Sequence, residues 1–295
     1  MKKLVLIRIV ALMLLFCMAF GLTACDNLPK GTVNFTFMSF NARYENTVDT
    51  EDRAWDNRKD AFLANVLSYS ADVICFQEVM RTQNEDLKSG LSEKYEIVYY
   101  ARTPKQKEEG LAIAFDKEKF DLVRQKVFWF SATPNDWGAD DKWGATQDRI
   151  GVNVLLKHKK SGLKINVFNV HLDNKSEQSR TKSVKMILDK VQAEEYPAFV
   201  MGDFNFRVGS SAYKNIAKEL IDCQKKAKIT DSGCTYQGFG DSENNPTNTA
   251  IDFCFITEKY LTPKTFKICR DKWGENNDKY LSDHYAIRMD IRYEK

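Results

Sequence analysis

From residue 33 onward the chain is a succession of short apolar runs of strand length, each ended by polar or turn-forming residues. They fall at 33–40, 73–77, 96–100, 111–115, 123–130, 151–156, 163–170, 198–201, 251–256, 266–269 and 285–291. Short apolar runs of this length, separated by helical segments, read as the strands of an α/β domain. A twisted open sheet with so many strands tends to split and stack, so two packed sheets are the economical arrangement. Between the runs, 53–67 sets Trp55, Phe62, Val66 and Leu67 at helical spacing. The stretch 177–192 does the same with Val184, Ile187, Leu188 and Val191, and both predict outer-layer helices. Residues 131–147 carry Trp137, Trp143 and two glycines in loop chemistry, and such tryptophans more often pack a loop onto the body than form a binding wall. No repeat, low-complexity tract or proline-rich linker divides the sequence, so 33–295 reads as one α/β domain.

The N-terminus sets the compartment. Lys2, Lys3 and Arg8 precede an apolar run over 9–22 that is short for a membrane span, which is the layout of a secretion signal. The run ends in Leu22-Thr23-Ala24-Cys25, which resembles a bacterial lipobox. That resemblance implies removal of 1–24, lipidation of Cys25, a tether over 25–32 and residence in the bacterial cell envelope, with the membrane as partner through the acyl chains. Lys and Arg number 44 against 41 Asp and Glu, and three of the basic residues lie within 1–24, so the remainder is charge-balanced. A protein that grips nucleic acid tightly usually carries a basic excess, so this balance weighs against one while leaving room for a local basic cleft. Beyond Cys25 stand Cys75, Cys223, Cys234, Cys254 and Cys269 with no CxxC pair, which argues against structural zinc. Cys75, Cys254 and Cys269 lie in apolar runs and read as buried thiols. Cys223 and Cys234 flank the turn-rich stretch 224–233, and in an oxidising compartment a disulfide between them is expected.

The chemistry gathers where the apolar runs give out. The endings are Ser39-Phe40-Asn41, Phe76-Gln77-Glu78, Asn169-Val170-His171-Leu172-Asp173, Gly202-Asp203-Phe204-Asn205, Ile251-Asp252 and Ser282-Asp283-His284. The chain has only 3 histidines, and two of them, His171 and His284, belong to these endings. His158 sits instead in the basic turn Lys157-His158-Lys159-Lys160-Ser161-Gly162 and reads as a solvated hairpin residue. Singly, each ending has an ordinary explanation: Glu78 as a helix-initiating acid, Asp203 and Asn205 as an Asx turn, Asp252 as a strand-entry residue, His284 as a core histidine. Together, carboxylates, amides and imidazoles in these proportions are what hard-cation phosphate chemistry requires.

From Val33 to Tyr293 the ordered motifs 39–43, Gln77-Glu78-Val79, 169–173, 202–205, Ile251-Asp252-Phe253 and Ser282-Asp283-His284 resemble the endonuclease/exonuclease/phosphatase superfamily, with its DNase I-like fold. Arg43-Tyr44, Trp55-Asp56-Asn57-Arg58 and Arg149-Ile150 are similar to a bacterial branch whose substrates are not generally defined. The resemblance implies a four-layer α/β sandwich, with two mixed β-sheets packed face to face, flanked by helices, and the site at one end. It implies Glu78, Asn41 and Asp283 as ligands of Mg²⁺ or Mn²⁺. His284 is then general base or electrostatic partner, with Asp252 against its other ring nitrogen. His171, Asp203 and Asn205 share the work of binding phosphate, orienting the nucleophile and assisting the leaving group. Arg149 and Arg43 are candidate phosphate-binding cations, each with a surface or structural role as the alternative. Asp173 and Arg180 hold the loop after the strand. The branch's pattern would put a second histidine where Asn174 stands, which bears on substrate detail.

The expected function is a monomeric, metal-dependent phosphoesterase outside the cytoplasm: a nuclease, a sugar or inositol phosphatase, or a phospholipid phosphodiesterase. The last would want an exposed apolar hairpin, and Val127-Phe128-Trp129-Phe130 reads more readily as a buried strand. The alternative of another class is a surface-anchored binding protein that kept the fold and lost the chemistry, although Asn41, Glu78, Asp203, Asn205, Asp252, Asp283 and His284 are all present.

Overall fold

Alternation along each apolar run decides which layer a side chain enters. In the first strand, β1 (Thr32–Asn41), Phe35 and Phe37 join a core between two sheets, whereas Met38 and Phe40 join a second core on the outer side. β2 (Val73–Met80) repeats this with Val73 and Cys75 inward and Ile74 and Phe76 outward. Both faces are therefore apolar, which is why these strands read as continuous runs.

The computed structural model describes residues 29–105, 108–245 and 249–295; the expected signal 1–24 and Cys25 lie outside them. The other strands are β3 (Tyr95–Ala101), β4 (Glu109–Asp116), β5 (Phe120–Trp129), β6 (Ile150–His158), β7 (Lys164–His171) and β8 (Ala198–Asp203). After them come β9 (Ile221–Asp222), β10 (Ile229–Thr230), β11 (Asp252–Ile256), β12 (Leu261–Cys269), β13 (Lys272–Trp273), β14 (Lys279–Tyr280) and β15 (Ala286–Glu294). A 7-stranded sheet has the order β10-β12-β15-β1-β2-β4-β3 and a 6-stranded sheet the order β5-β6-β7-β8-β11-β9. They pack face to face, with Phe37 of one stacked on Phe199 of the other at 4.1 Å between ring centres.

Helices α1 (Trp55–Tyr69) and α2 (Arg81–Leu91) cover the first sheet, and α3 (Glu177–Gln192) and α4 (Ser211–Glu219) cover the second; a single turn, α5 (Cys223–Lys226), follows. This is the expected DNase I-like sandwich. The predicted helix over 177–192 has the bounds observed, and the one over 53–67 is displaced by two residues, beginning and ending two positions before α1. α2 escapes sequence periodicity because its buried face mixes Gln83 and Asn84 with Leu87 and Leu91. No described helix is long and apolar enough to cross a membrane.

Two expectations need correction. Cys223 and Cys234 are not bonded: Cys223 is buried with its Sγ 3.6 Å from that of Cys254, while Cys234 is half-buried elsewhere. The turn-rich stretch folds into α5 and β10, which turns Cys223 inward beneath β11 instead of across the loop. His158 does lie in the β6–β7 hairpin, but its ring is half-buried edge-on to Phe35, and Nδ1 is 2.8 Å from Ser161 Oγ. The tryptophans of 131–147 divide: Trp143 packs on the body and Trp137 is 53 % exposed.

Candidate active site

β1 and β2 run parallel, as do β7 and β8, and the carboxyl ends of all four lie at one end of the sandwich. β4, β6, β11 and β15 are antiparallel to these neighbours, so their beginnings face the same end. This topology alone brings together Asn41, Glu78, His171 and Asp203 with Glu109, Arg149, Asp252 and His284. The backbone then aims them. A bulge between Phe76 and Val79 interrupts the β2–β4 ladder and holds Glu78 at φ 55, a left-handed conformation that re-aims its carboxylate. Asn205 and Arg43 are held likewise at φ 50 and φ 58.

Beneath the site a polar clasp joins the sheets. Asn169 of β7 donates from Nδ2 to the carbonyls of Phe76 and Ala112 at 2.8 and 2.9 Å, and its Oδ1 accepts from Gln77 Nε2 at 2.8 Å. The bulge frees the Phe76 carbonyl, and a buried carbonyl left unpaired would cost roughly 1–3 kcal/mol. Behind the site, the fully buried Arg58 donates to the carbonyls of Arg53, Leu281 and Arg43, tying the loop after β1 to the segment that carries Asp283 and His284. Asp173 accepts from the amides of Lys175 and Ser176, and Arg180 donates to the Asp173 carbonyl, so this pair does hold the loop before α3.

Asp203 is the hub. Its Oδ2 accepts from Asn41 Nδ2 at 3.1 Å and lies 3.6 Å from His171 Nε2 and 3.8 Å from His284 Nε2, while Oδ1 accepts from the Asn205 amide at 2.9 Å. Asp252 Oδ2 sits 2.9 Å from His284 Nδ1. His171 Nε2 is 4.0 Å from Glu78 Oε1, and its ring nitrogens are 3.0 and 3.1 Å from Arg149. Arg43 is engaged bidentately by Asp49 at 2.8 and 3.1 Å and reaches Asp283 at 3.6 Å, so it borders the site with its charge partly satisfied.

The two imidazoles are driven apart. Burial alone would lower His284, but the charge and hydrogen bond of Asp252, with Asp203 and Asp283, raise it to about 10, leaving an imidazolium. Burial and the neighbouring Arg149 push His171 well below its usual range, leaving it neutral. Burial and Asp252 raise Asp203 to about 7. Burial and Asp283 raise Glu78. Glu109, which the sequence did not single out, is raised to about 7 by burial and Glu78, against the pull of Arg102 and Arg149. Nothing in Glu108-Glu109-Gly110 distinguishes the buried acid from its neighbour. Tyr236, paired by a backbone bridge to His284 with ring centres 5.2 Å apart, likewise gave no signal.

Two triplets could geometrically hold a cation: Glu78, Glu109 and His171, and Asp203, Asp252 and His284. Charge disfavours both as complete sets, since Glu109 lies beside Arg102 and Arg149, and Asp252 is already paired with imidazolium. The carboxylates of Glu78, Asp203 and Asp283 around the Asn41 amide are the better donor set. Glu78 and Asp203 carry raised pKa values that a hard cation would relieve, and oxygen donors suit Mg²⁺ or Mn²⁺. A recess of about 250 Å³ over His171, Asp203, Asn205 and His284 meets a cavity of about 790 Å³ lined by Arg43, Arg81, Arg102, Arg149, Gln147 and Asn174 among others.

Comparison with known proteins bears on the family and the fold. The family model described as Endonuclease/Exonuclease/phosphatase family matches residues 38–284. An endonuclease/exonuclease/phosphatase family protein from Bacteroides thetaiotaomicron superposes with TM-score 0.82 at 25% identity, over 90% of this chain and 100% of that one. A mannosyl-6-phosphatase from the same organism gives TM-score 0.80 at 26% identity, over 87% and 99%. Among curated proteins, the CCR4-Not complex 3'-5'-exoribonuclease subunit Ccr4 of Mycosarcoma maydis is 30% identical over 213 residues, 57% of this chain and 32% of that protein. The chain thus spans about a third or less of the Ccr4 proteins of Mycosarcoma maydis and Saccharomyces cerevisiae.

Proposed function

Because the chain belongs to the endonuclease/exonuclease/phosphatase family, we propose that it hydrolyses a phosphate ester with a divalent cation, Mg²⁺ or Mn²⁺, and that the ester is a small sugar-type phosphate. The observation that carries this reading is the junction of the Asp203–His171–His284 recess with a half-open cavity to which Arg43, Arg81, Arg102 and Arg149 contribute. A polyol phosphate needs hydrogen-bonding walls and a cationic floor, whereas a single-stranded nucleic acid needs aromatic platforms along an open groove. The wall here mixes arginine, asparagine, glutamine and threonine with Glu45, Glu78 and Glu109, and its one aromatic ring, Tyr44, lies beneath Arg43 at 4.6 Å. The structural likeness to a mannosyl-6-phosphatase supports the same choice.

The cation, when bound by Glu78 and Asn41 with Asp203 or Asp283, would supply Lewis-acid polarisation of a phosphoryl oxygen. The chain's own groups do the rest. His284, held as imidazolium by Asp252, donates to a phosphoryl oxygen and favours the charge that grows there. With Asp283 completing the cation's shell, Asp203 is left to orient the attacking water and take its proton, held in place by Asn41 and the Asn205 backbone amide. Arg149 lies beside both ring nitrogens of neutral His171 and holds the ring with Nε2 facing Asp203 and the phosphate position. The Asn205 amide is positioned by its bond to the Leu172 carbonyl at 3.1 Å.

The N-terminal signal and Cys25 support residence in the bacterial envelope on a lipid anchor. A second reading, exonuclease, is favoured by the Ccr4 relatives. Initial rates on sugar phosphates, inositol phosphates, short RNA and DNA, and dispersed phospholipid, with Mg²⁺ and after chelation, decide between them. Metal-dependent release of phosphate from sugar phosphates is expected to exceed the other rates at least tenfold. Preference for RNA would overturn the substrate assignment, and no turnover on any member would favour the binding-protein alternative.

A further inference from the structure

The start of the described chain and the catalytic mouth lie at opposite poles. Resting on the reading of Cys25 as lipidated, we propose that the protein stands with its lysine-bearing N-terminal pole against anionic headgroups of its own membrane and its mouth turned away, so that its substrates are soluble esters and not lipids of that bilayer.

β1 carries the geometry. It runs ten residues from Thr32 at one pole to Asn41 in the site, about 30 Å at ~3.3 Å per residue. At its start the chain is pinned to the C-terminal strand: the Gly31 amide donates to the Lys295 carbonyl at 2.9 Å, and the Lys295 amide donates to Gly31 at 3.1 Å. Tyr293 donates from its hydroxyl to the Pro29 carbonyl at 2.5 Å. Cys25 precedes Pro29 by four positions, a reach of at most about 14 Å fully extended. For the mouth to rest on the bilayer, Pro29 would have to stand about 30 Å above it, roughly twice what that tether spans.

The surface around the pinned start suits headgroups. The β4–β5 turn with Lys117 and Lys119 is stitched to the β6–β7 turn with Lys159 and Lys160, the Lys159 amide donating to the Lys119 carbonyl at 2.8 Å. Lys119, Lys159 and Lys160 line a recess of about 510 Å³ together with Asn34 and Phe35 of β1, so these lysines flank the strand that leads to the anchor. Asp72 pairs with Lys119, Asp121 lies 3.6 Å from Lys159 and Glu118 lines the same recess, so the charge offered to headgroups is that of Lys117 and Lys160, exposed at the rim. Lysines close to a membrane surface are drawn to anionic lipid, and a short tether supplies the proximity.

The test uses the full acylated chain in vesicles containing phosphatidylglycerol and an acceptor-labelled lipid. A donor dye is placed in turn at Lys160→Cys and at Val48→Cys, which is exposed on the loop after β1 at the mouth, in a Cys234→Ser background. Energy transfer from position 160 is expected to exceed that from 48 several-fold; equal or reversed transfer overturns the orientation. Adding Lys119→Glu and Lys159→Glu should lower transfer from 160, and no change overturns the headgroup contact. Cys25→Ser should release the chain from the vesicles, and unaltered retention overturns the anchor on which the proposal rests. Turnover of a soluble sugar phosphate by the same vesicles is a separate readout: correct orientation without turnover sinks the hydrolase assignment and leaves the orientation standing.

Discussion

Asp252→Asn is the sharpest test of the proposed mechanism, because it removes one charge and almost no volume from a buried pair. Asp252 lies 2.9 Å from His284 Nδ1, and both are nearly inaccessible. Burial alone would lower the imidazole, yet the carboxylate cluster led by Asp252 holds it at about 10. Set against an ordinary value near 6.5, that is a preference for imidazolium on the order of 5 kcal/mol. With the carboxylate gone, burial becomes less opposed and His284 moves toward neutrality near pH 7. A bound cation would screen part of the cluster, so the expected loss in kcat at pH 7.5 is roughly 10² to 10⁴, with KM changed far less. Residual activity should rise as the pH is lowered and His284 regains its proton, an acid shift that simple misfolding would not produce. Steady-state rates from pH 5 to 9, with a thermal melt to show the fold intact, make the comparison. A folded variant with wild-type kcat throughout would refute the electrostatic role of the pair.

Other outcomes follow from the same structure. Asp203 is raised to about 7 and His284 to about 10, so the folded, metal-free protein holds protons that the unfolded chain has released. Its stability should therefore fall as pH rises from about 4 through 7 at the first group and from about 6.5 through 10 at the second. Because a cation beside Asp203 displaces the carboxyl proton there, the gain in Tm on adding Mg²⁺ should grow with pH from about 4 to 7; a gain independent of pH over that range would count against the site. Gly202→Ala would set a Cβ 1.9 Å from the Val170 carbonyl at φ 144, and a loss of about 3–5 kcal/mol is expected, read by denaturant melt. Asn169→Leu leaves the Phe76 and Ala112 carbonyls and the Gln77 amide without their clasp, for about 2–4 kcal/mol; an unchanged melt would show the clasp to be dispensable. Mild oxidation followed by peptide mapping should join Cys223 to Cys254 rather than to Cys234, whose partnership with Cys223 would contradict the packing.

Much of the fold was legible because strands buried on both faces, such as β2, β4 and β7, keep few polar positions and read as apolar runs, whereas β5, β12 and β15 expose one face and alternate, and only the last four residues of β12 stood out. β9, β10, β13 and β14 did not, since two residues carry no period. α2 was hidden by a buried face that includes Gln83 and Asn84; the Gln83 amide serves a site-proximal loop, donating to the Arg43 carbonyl and accepting from the Glu45 amide. Cys223 misled because spacing along a loop says nothing about which way a short helix turns its side chains.

By itself the sequence determined the residue types available to the site and the layers that would carry them, since apolar period and strand-end chemistry are local properties. Only the tertiary structure decided what those residues become. Parallel pairing of β1 with β2 and of β7 with β8 puts their ends at one pole, a long-range choice no local pattern contains. Burial beside particular neighbours then splits two chemically identical imidazoles, one made a cation by Asp252 and the other kept neutral beside Arg149. Protonation is set by distance and desolvation, and both exist only once the chain has closed.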